Sequence, residues 1–382
     1  MLKTLRLFFL KTHLWVGLFL ALPLILMSLT GAILAFEPQI IKWAQNQYFT
    51  EKRIHQATFG PAQPLDSLFK KPEFQSKAPQ EIQIFAQENT PILVKSTPKF
   101  SFWIDAHSGE NLGQGPQQIQ SFFEFVEHLH RWLALDGKLK EAGKWASGIF
   151  SLSLLFLAIT GLFLWIPHTR NLWKWSWIKT RLQAYKLWPR SFQDQDLKAL
   201  RAPHISLGFW ALPLVLIMSL SGAIISFHPA QDALIWILSD QPSTSSDKPK
   251  KRTGPDLEAR VFPTSLDKII QDAQSQSPVW SSIRIVLAPS NKNIQVFVVQ
   301  TEQNKIKAPL QLEYTQNSEC ISVKKTSEAQ QIKMWNKYTH TGQIFGIWTQ
   351  IAAFLGSLAV LFLSITGLIL GILKIKKRPT SL

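Results

Sequence analysis

A single cysteine, Cys320, stands among 382 residues, so no disulfide can form within the chain and no cysteine-rich metal cage can be built. Acidic residues are also scarce, 25 against 41 Lys and Arg, for a formal net charge of +16. Charge of either sign is almost absent from four long apolar stretches, near 12–37, 145–167, 204–228 and 345–373. A helix needs about 20 such residues to cross the roughly 30 Å hydrocarbon core of a bilayer. Each stretch is long enough, and this concentration of apolar residues argues against two or three ordinary soluble domains.

The positive charge that the spans lack collects between and beyond them. Residues 168–203 carry Arg170, Lys174, Lys179, Arg181, Lys186, Arg190, Lys198 and Arg201 against only Asp194 and Asp196, and the tail 374–382 adds Lys374, Lys376, Lys377 and Arg378. With Lys3, Arg6 and Lys11 at the start, this distribution predicts cytoplasmic N- and C-termini and a cytoplasmic middle linker. It is a topology signal, and nucleic acid is not an expected partner. The segments 38–144 and 229–344 then lie outside; the basic run 248–252 does not conflict, because long translocated segments are largely exempt from the charge rule. The first apolar run also resembles a signal peptide, but a near-copy of it at 204–228 lies inside the chain, so it is expected to stay as an anchor.

That near-copy is an internal repeat. HLWVGLFLALPLILMSLTGAILAFEP begins at His13 and HISLGFWALPLVLIMSLSGAIISFHP at His204, each with a glycine four residues on (Gly17, Gly208) and a closing proline (Pro38, Pro229). A duplicated two-helix unit accounts for it. A hydroxyl residue followed by glycine recurs in all four spans, as Thr30-Gly31, Thr160-Gly161, Ser221-Gly222 and Thr366-Gly367.

The outer segments read as two small α+β modules. In the first, EIQIFAQ (81–87), PILVKS and KFSFWIDAHSGENL are strand-like with a turn at Ser108-Gly109, and SFFEFVEHLHRWLAL (121–135) is an amphipathic helix expected along the membrane surface. In the second, a low-complexity linker precedes TSLDKIIQDAQSQ, a helix capped by Thr264 or Ser265, and then a hairpin with its turn at 289–293. Trp103 and Trp280 read either as ligand contacts or as core residues.

Histidines at membrane depth are rare and tend to be functional. With the termini inside, His13 and His204 lie at the inner ends of spans one and three, whereas His130 and His340 precede spans two and four on the outer side. His128 cannot share a helical face with His130; it and His228 are the substitutes at the outer level. Gly31 and Gly222 each lie eighteen residues beyond His13 and His204, roughly 27 Å along a helix, and so reach the outer level. Gly161 and Gly367 fall at the inner one.

At each depth two helices offer imidazole and two offer residues without bulk, a pattern that suits a planar macrocycle. Imidazole is a natural ligand for haem iron in a bundle interior. Small residues also serve plain helix packing, and a histidine at a span end also serves as an interfacial anchor; the coincidence of the two features favours the cofactor. Zinc or copper fits less well without clustered thiolates or carboxylates, and the absence of CxxCH excludes covalent c-type attachment. His55 and His107 read as solvent-facing and His168 as interfacial.

These motifs resemble the PepSY-associated transmembrane helix proteins, also called iron-regulated inner-membrane proteins. The marks are HLWVG at His13, LTGAILAFEP, HLHRWLAL at 128, AITGLFLWIP at 158, and the repeated HISLG, LSGAIISFHP and SITGLILGI. The resemblance implies a four-helix transmembrane bundle with two PepSY-like periplasmic modules in a bacterial inner membrane. Some members are siderophore reductases with two b-type haems, which makes His13, His130, His204 and His340 the leading axial ligands. A ferric-siderophore would then be the periplasmic partner, and a membrane quinol or cytoplasmic reductase the electron donor. No protein nucleophile or general base is expected. The rival reading is a non-enzymatic envelope sensor or interaction module anchored by the helices; a transporter is poorly supported, Glu37 at a span edge being the nearest acidic group.

Overall fold

The computed structural model describes residues 2–54, 63–71, 74, 77–87, 89–97, 100–166, 197–239, 260–289, 291–302, 305–306 and 308–376. Most of the basic linker predicted over 168–203, the low-complexity linker with its basic run at 248–252, the tail from 377, His55 and His168 lie outside the described residues. The helices within them are α1 (Leu2–Leu34), α2 (Glu37–Ile54), α3 (Leu65–Phe69), α4 (Gln117–Trp132), α5 (Lys140–Trp165), α6 (Leu197–Trp210), α7 (Leu212–Ser226), α8 (His228–Ser239), α9 (Leu266–Gln276), α10 (Glu328–Thr341) and α11 (Ile347–Lys376). They fall into two compact units: Met1–Glu37, Phe122–Asp240 and Trp335–Leu382 form a helical one, and Pro38–Ser121 with Gln241–Met334 a sheet-containing one.

In the helical unit, α1, α5 and α11 are each long and apolar enough to cross a membrane. Their outward faces carry exposed large apolar side chains such as Phe19, Leu22 and Leu355, a surface suited to lipid rather than water. The third apolar stretch, expected as one span, is broken instead. Helix α6 stops at Trp210, α7 starts at Leu212, and the two are bent by 67°. Pro213 lies in the first turn of α7; it has no N–H to donate, and its ring crowds the carbonyl four residues earlier, so the helix yields there. If the bent pair is one span, the unit has four.

The interior of this unit is built from small and hydroxyl-bearing residues. A Cβ on Gly356 would come within 2.8 Å of the Met218 sulfur, so α11 and α7 approach closely there and the Met218 side chain would have to give way to a larger residue. Gln350 donates from Nε2 to the Ala35 carbonyl at 3.2 Å, satisfying a carbonyl just beyond the end of α1. At the other end of α1, Arg6 donates to the carbonyls of Leu164 and Ile166, at 2.6 and 2.8 Å, and so caps α5.

The sheet unit corrects one expectation. Its strands are β1 (Glu81–Phe85), β2 (Ile92–Thr97), β3 (Phe100–Ile104), β4 (Asn111–Gly113), β5 (Arg260–Val261), β6 (Trp280–Val286), β7 (Ala288–Pro289), β8 (Ile294–Glu302), β9 (Lys305–Ile306), β10 (Leu310–Tyr314) and β11 (Cys320–Lys324). The two outer segments do not make separate sheets. Among the described residues, nine strands form one sheet in the order β11-β10-β8-β6-β1-β2-β3-β4, with β9 beside β8. The seam is the antiparallel pair β1–β6, where Ile82 faces Ile285 and Ile84 faces Ile283. Either half alone would leave this inner strand as an open, apolar edge, which pairing removes.

Alternation along these strands sends Ile82, Val94, Phe102, Ile104, Ile283, Ile285, Val296, Val298 and Leu312 into one core, closed by Leu266, Ile269 and Ala273 of α9 and by Leu65, Leu68 and Phe69 of α3. Those two helices also cap each other. Asp66 accepts from the Leu266 N–H at 2.6 Å and the Ser265 hydroxyl at 2.5 Å, while Asp267 accepts from the N–H groups of Leu65 and Asp66 at 2.9 and 3.0 Å. A Leu-Asp pair opens each of the two helices, at 65–66 and at 266–267. Ser265 is the N-cap of α9, accepting from the Lys268 N–H. Trp103 is a core residue packed with Phe49, and Trp280 is partly buried against the main core. His107 contacts the Asn89 side chain at 3.1 Å.

Candidate functional site

Four histidines of the helical unit repeat one local arrangement. The Nδ1 atom of His13 lies 2.9 Å from the Thr160 hydroxyl, that of His130 2.8 Å from Thr30, that of His204 2.8 Å from Thr366, and that of His340 3.1 Å from Ser221. Every one of these hydroxyls already donates to a carbonyl four residues earlier in its helix, at 2.6–2.8 Å, from Leu26, Phe156, Ile217 or Phe362. A hydroxyl has one proton to give. Its oxygen must therefore accept from the imidazole, which places a ring proton on Nδ1 and, in the neutral ring, leaves Nε2 as a lone pair. His340 makes the point twice, because its Nδ1 is also 3.1 Å from the Met218 carbonyl, which can only accept.

The glycine after each hydroxyl explains how the imidazole gets so close. A Cβ on Gly31, Gly161 or Gly367 would lie 3.4 Å from Cε1 of His130, His13 or His204, and one on Gly222 only 3.0 Å from Cε1 of His340. The glycines were expected to clear space for a flat ligand. Their immediate neighbour is the ring edge of a histidine, so each hydroxyl-glycine pair is a seat for an imidazole from another helix. The sequence displayed the hydroxyls openly, in all four spans, but spacing alone gave them no partner.

The histidines fall at two levels. Thr30 follows His13 by seventeen residues in α1, about 26 Å at the usual rise of a helix. At one level, His130 and His340 have ring centroids 6.3 Å apart. Burial, and next the neighbouring His340, push the His130 imidazole down to about 3, and burial pushes His340 down as well, so both are neutral and able to ligate at ordinary pH. At the other level, His13 and His204 line one cavity of about 490 Å³ whose other walls are mostly leucine, with Gly17, Gly161, Gly208 and Gly367. Trp165 and Phe209, stacked 4.2 Å apart, and the cations Arg201 and Lys374 also line it. Arg201 and Lys374 counted in the sequence only as topology charges, and Trp165 and Phe209 were not singled out.

His128 and His228 are not brought to either pair. His128 Nε2 lies 3.2 Å from Asp136 and its ring packs on Trp132, while His228 Nε2 accepts from Lys144 at 3.1 Å. Among the described residues no three His, Cys, Asp or Glu side chains converge as a metal cage. Each histidine pair could offer two nitrogen donors.

Three apolar helices of membrane-crossing length and a bent fourth element, enclosing buried imidazoles, define a multi-pass helical membrane protein. Residues 10–374 match the model of the PepSY-associated TM region, and the chain belongs to that family. A search among curated proteins finds no match.

Proposed function

We propose that the protein is a di-haem electron carrier of the bacterial inner membrane that reduces a ferric-siderophore on the outer side. The observation that supports this reading best is the pairing of four imidazoles at two levels, each with Nδ1 committed to a hydroxyl. A metal held between two imidazoles sits about 2 Å from each nitrogen, which puts the ring centres about 6 Å apart; the 6.3 Å between His130 and His340 fits. Two ligands are too few for a protein-only metal site, but they suit an iron whose other four ligands come from a porphyrin. At the other level, an apolar cavity of 490 Å³ has the size and lining of a cofactor site.

His13 and His204 would hold one haem b, and His130 and His340 the other. Bound there, haem would supply a one-electron Fe(III)/Fe(II) couple. The chain's own work is placement. Two imidazole pairs about 26 Å apart along α1 would stand near the two faces of a core of roughly 30 Å, with the breadth of a macrocycle at each level shortening the gap between them. The threonine and serine hydroxyls fix each ring's tautomer and plane, the apolar walls exclude water, and no side chain need act as acid or base. One electron delivered to the ferric chelate leaves Fe(II), a poorer match for hard oxygen donors, so the metal is released. A membrane quinol or a cytoplasmic reductase would supply that electron.

A reduced-minus-oxidised spectrum of the purified protein tests the reading, with a pyridine-haemochrome count and reoxidation by a panel of ferric chelates. Two b-type haems per chain and chelate-dependent reoxidation are expected. A colourless preparation from haem-replete cells would reject it in favour of an anchored envelope-binding module.

The hydroxyls give a finer prediction. Thr366→Val keeps the shape but strands the buried Nδ1–H of His204, at a cost of about 1–3 kcal/mol; losing the partner of a ligating histidine's far nitrogen lowers metal affinity roughly 10- to 100-fold. Thr366→Ser should restore both haem content and midpoint potential. Equal potentials in the valine and serine variants would show that the hydroxyl does not act on the ring.

A further inference from the structure

The cavity around His13 and His204 has two faces and two lateral edges. His13 of α1 is seated on Thr160 and Gly161 of α5, and His204 of α6 on Thr366 and Gly367 of α11. A flat ligand between the two imidazoles would therefore have α1 and α5 behind one face and α6 and α11 behind the other. Its lateral edges would meet the two remaining corners, α5 with α6 and α1 with α11. The chain duplication makes those corners counterparts. Trp165 and Gly371 each stand four residues beyond a seat glycine, and Phe209 and Leu18 each stand five beyond a histidine. Both halves run in the same sense, His13 toward Thr30 and His204 toward Ser221, from one histidine level to the other. Exchanging the halves thus leaves the ends of the cavity in place and interchanges its edges. A group at an end cannot tell the two settings of a flat ligand apart; a group at one corner can.

The corners differ. Between α5 and α6 the rings of Trp165 and Phe209 stack with centroids 4.2 Å apart, and both residues line the cavity. Between α11 and α1 a Cβ on Gly371 would lie 3.2 Å from Leu18 Cδ1, so the helices close on each other there, and neither residue lines the cavity.

Resting on the haem reading, we infer that Trp165 and Phe209 are positioning residues, an aromatic edge that fixes which side of an unsymmetrical porphyrin faces α5 and α6. Iron protoporphyrin carries its vinyl and methyl groups in a different order along its two sides, so its two settings press different groups on that edge. Contacts between π-systems depend on geometry as well as area, and their usual strength corresponds to about a fivefold preference for one setting. The leucine-glycine corner, closed off from the cavity, offers no competing contact.

Full-length apoprotein in detergent, carrying His340→Ala so that the second pair does not load, is reconstituted with iron protoporphyrin, and the haem methyl resonances are counted by NMR. One set is expected to exceed the other about fivefold. Trp165→Gly with Phe209→Leu, which copies the opposite corner, should bring the two sets to near equality while the bis-imidazole spectrum remains. Adding Gly371→Trp and Leu18→Phe moves the aromatic pair to the other edge and should exchange the major and minor sets; if that variant does not fold, the double variant decides alone. The type III isomer of iron protoporphyrin, whose two sides are alike, should give one set in every variant. Near-equal sets in the unsubstituted corner, an unchanged ratio in the double variant, or two sets with the symmetric isomer overturns the aromatic edge while leaving the haem reading intact. Failure of the porphyrin to bind the unsubstituted cavity overturns the haem reading and the edge with it.

Discussion

On the proposed di-haem reading, His204→Ala should leave the protein with about half its haem, because one of the two imidazoles that would hold that haem is removed. The loss is expected to be selective: His340→Ala should strip the other haem instead, and the two single variants should have different residual spectra. The reason lies in the separate seating of the rings. His204 is held by Thr366 and Gly367, and His340 by Ser221 and Gly222, so neither substitution disturbs the seat at the other level. Purified variants with haem counted by pyridine haemochrome check this. His128→Ala separates the two readings of the His-Leu-His motif; loss of a haem there would move the ligand from His130 to its neighbour. Unaltered haem in both the His204 and His340 variants would remove the ligand assignment altogether.

Gly143→Ala is expected to be the most disruptive single methyl group in the helical unit. A Cβ at that point would lie 2.1 Å from the Trp132 carbonyl oxygen and 2.7 Å from its carbon. Both are backbone atoms, so no side chain can swing aside, and the last turn of α4 must move away from α5. His130 is two residues before Trp132 and would move with it. A destabilisation of about 3 kcal/mol, toward the upper end for overpacking, is expected, and on the proposed di-haem reading it should accompany loss of the haem that His130 and His340 would hold, with the one assigned to His13 and His204 retained. Gly137→Ala is the control: its φ is +56° but a Cβ there meets nothing within 4 Å, so only the cost of a left-handed alanine, about 1 kcal/mol, applies. Thermal unfolding and haem counts on both variants decide it. Equal effects would mean that the close approach at Trp132 relaxes at no cost.

Periodicity and repetition carried much of this into view from the sequence. The spans follow from uninterrupted apolar residues, and the pairing of His13 with His204 at one level follows from the duplicated segment around them. The strands of both outer segments lie where alternation placed them, and Ser265 caps α9 as its position before Leu266 suggested. What could not be read was long-range. The β1–β6 seam joins residues about 200 positions apart and leaves no local mark, so two modules were expected where one sheet exists. The bend at Leu212 depends on which of two prolines a helix tolerates, and Pro23 lies inside an unbroken α1. The partner of each hydroxyl-glycine pair is a histidine 100 or more residues away, a relation that only packing reveals.

The seam also sets a timetable. When β1 leaves the ribosome its mate has not been made, and at about 5–20 residues per second the wait is on the order of 10–40 s. Throughout that interval the strand that carries Ile82 and Ile84 has β2 on one edge and nothing on the other, whose correct neighbour lies past the third apolar stretch. Biogenesis of the sheet is thus tied to threading of the bent helix pair, and a chain halted before Trp280 would present the cell with a sticky half-sheet rather than with a smaller folded protein.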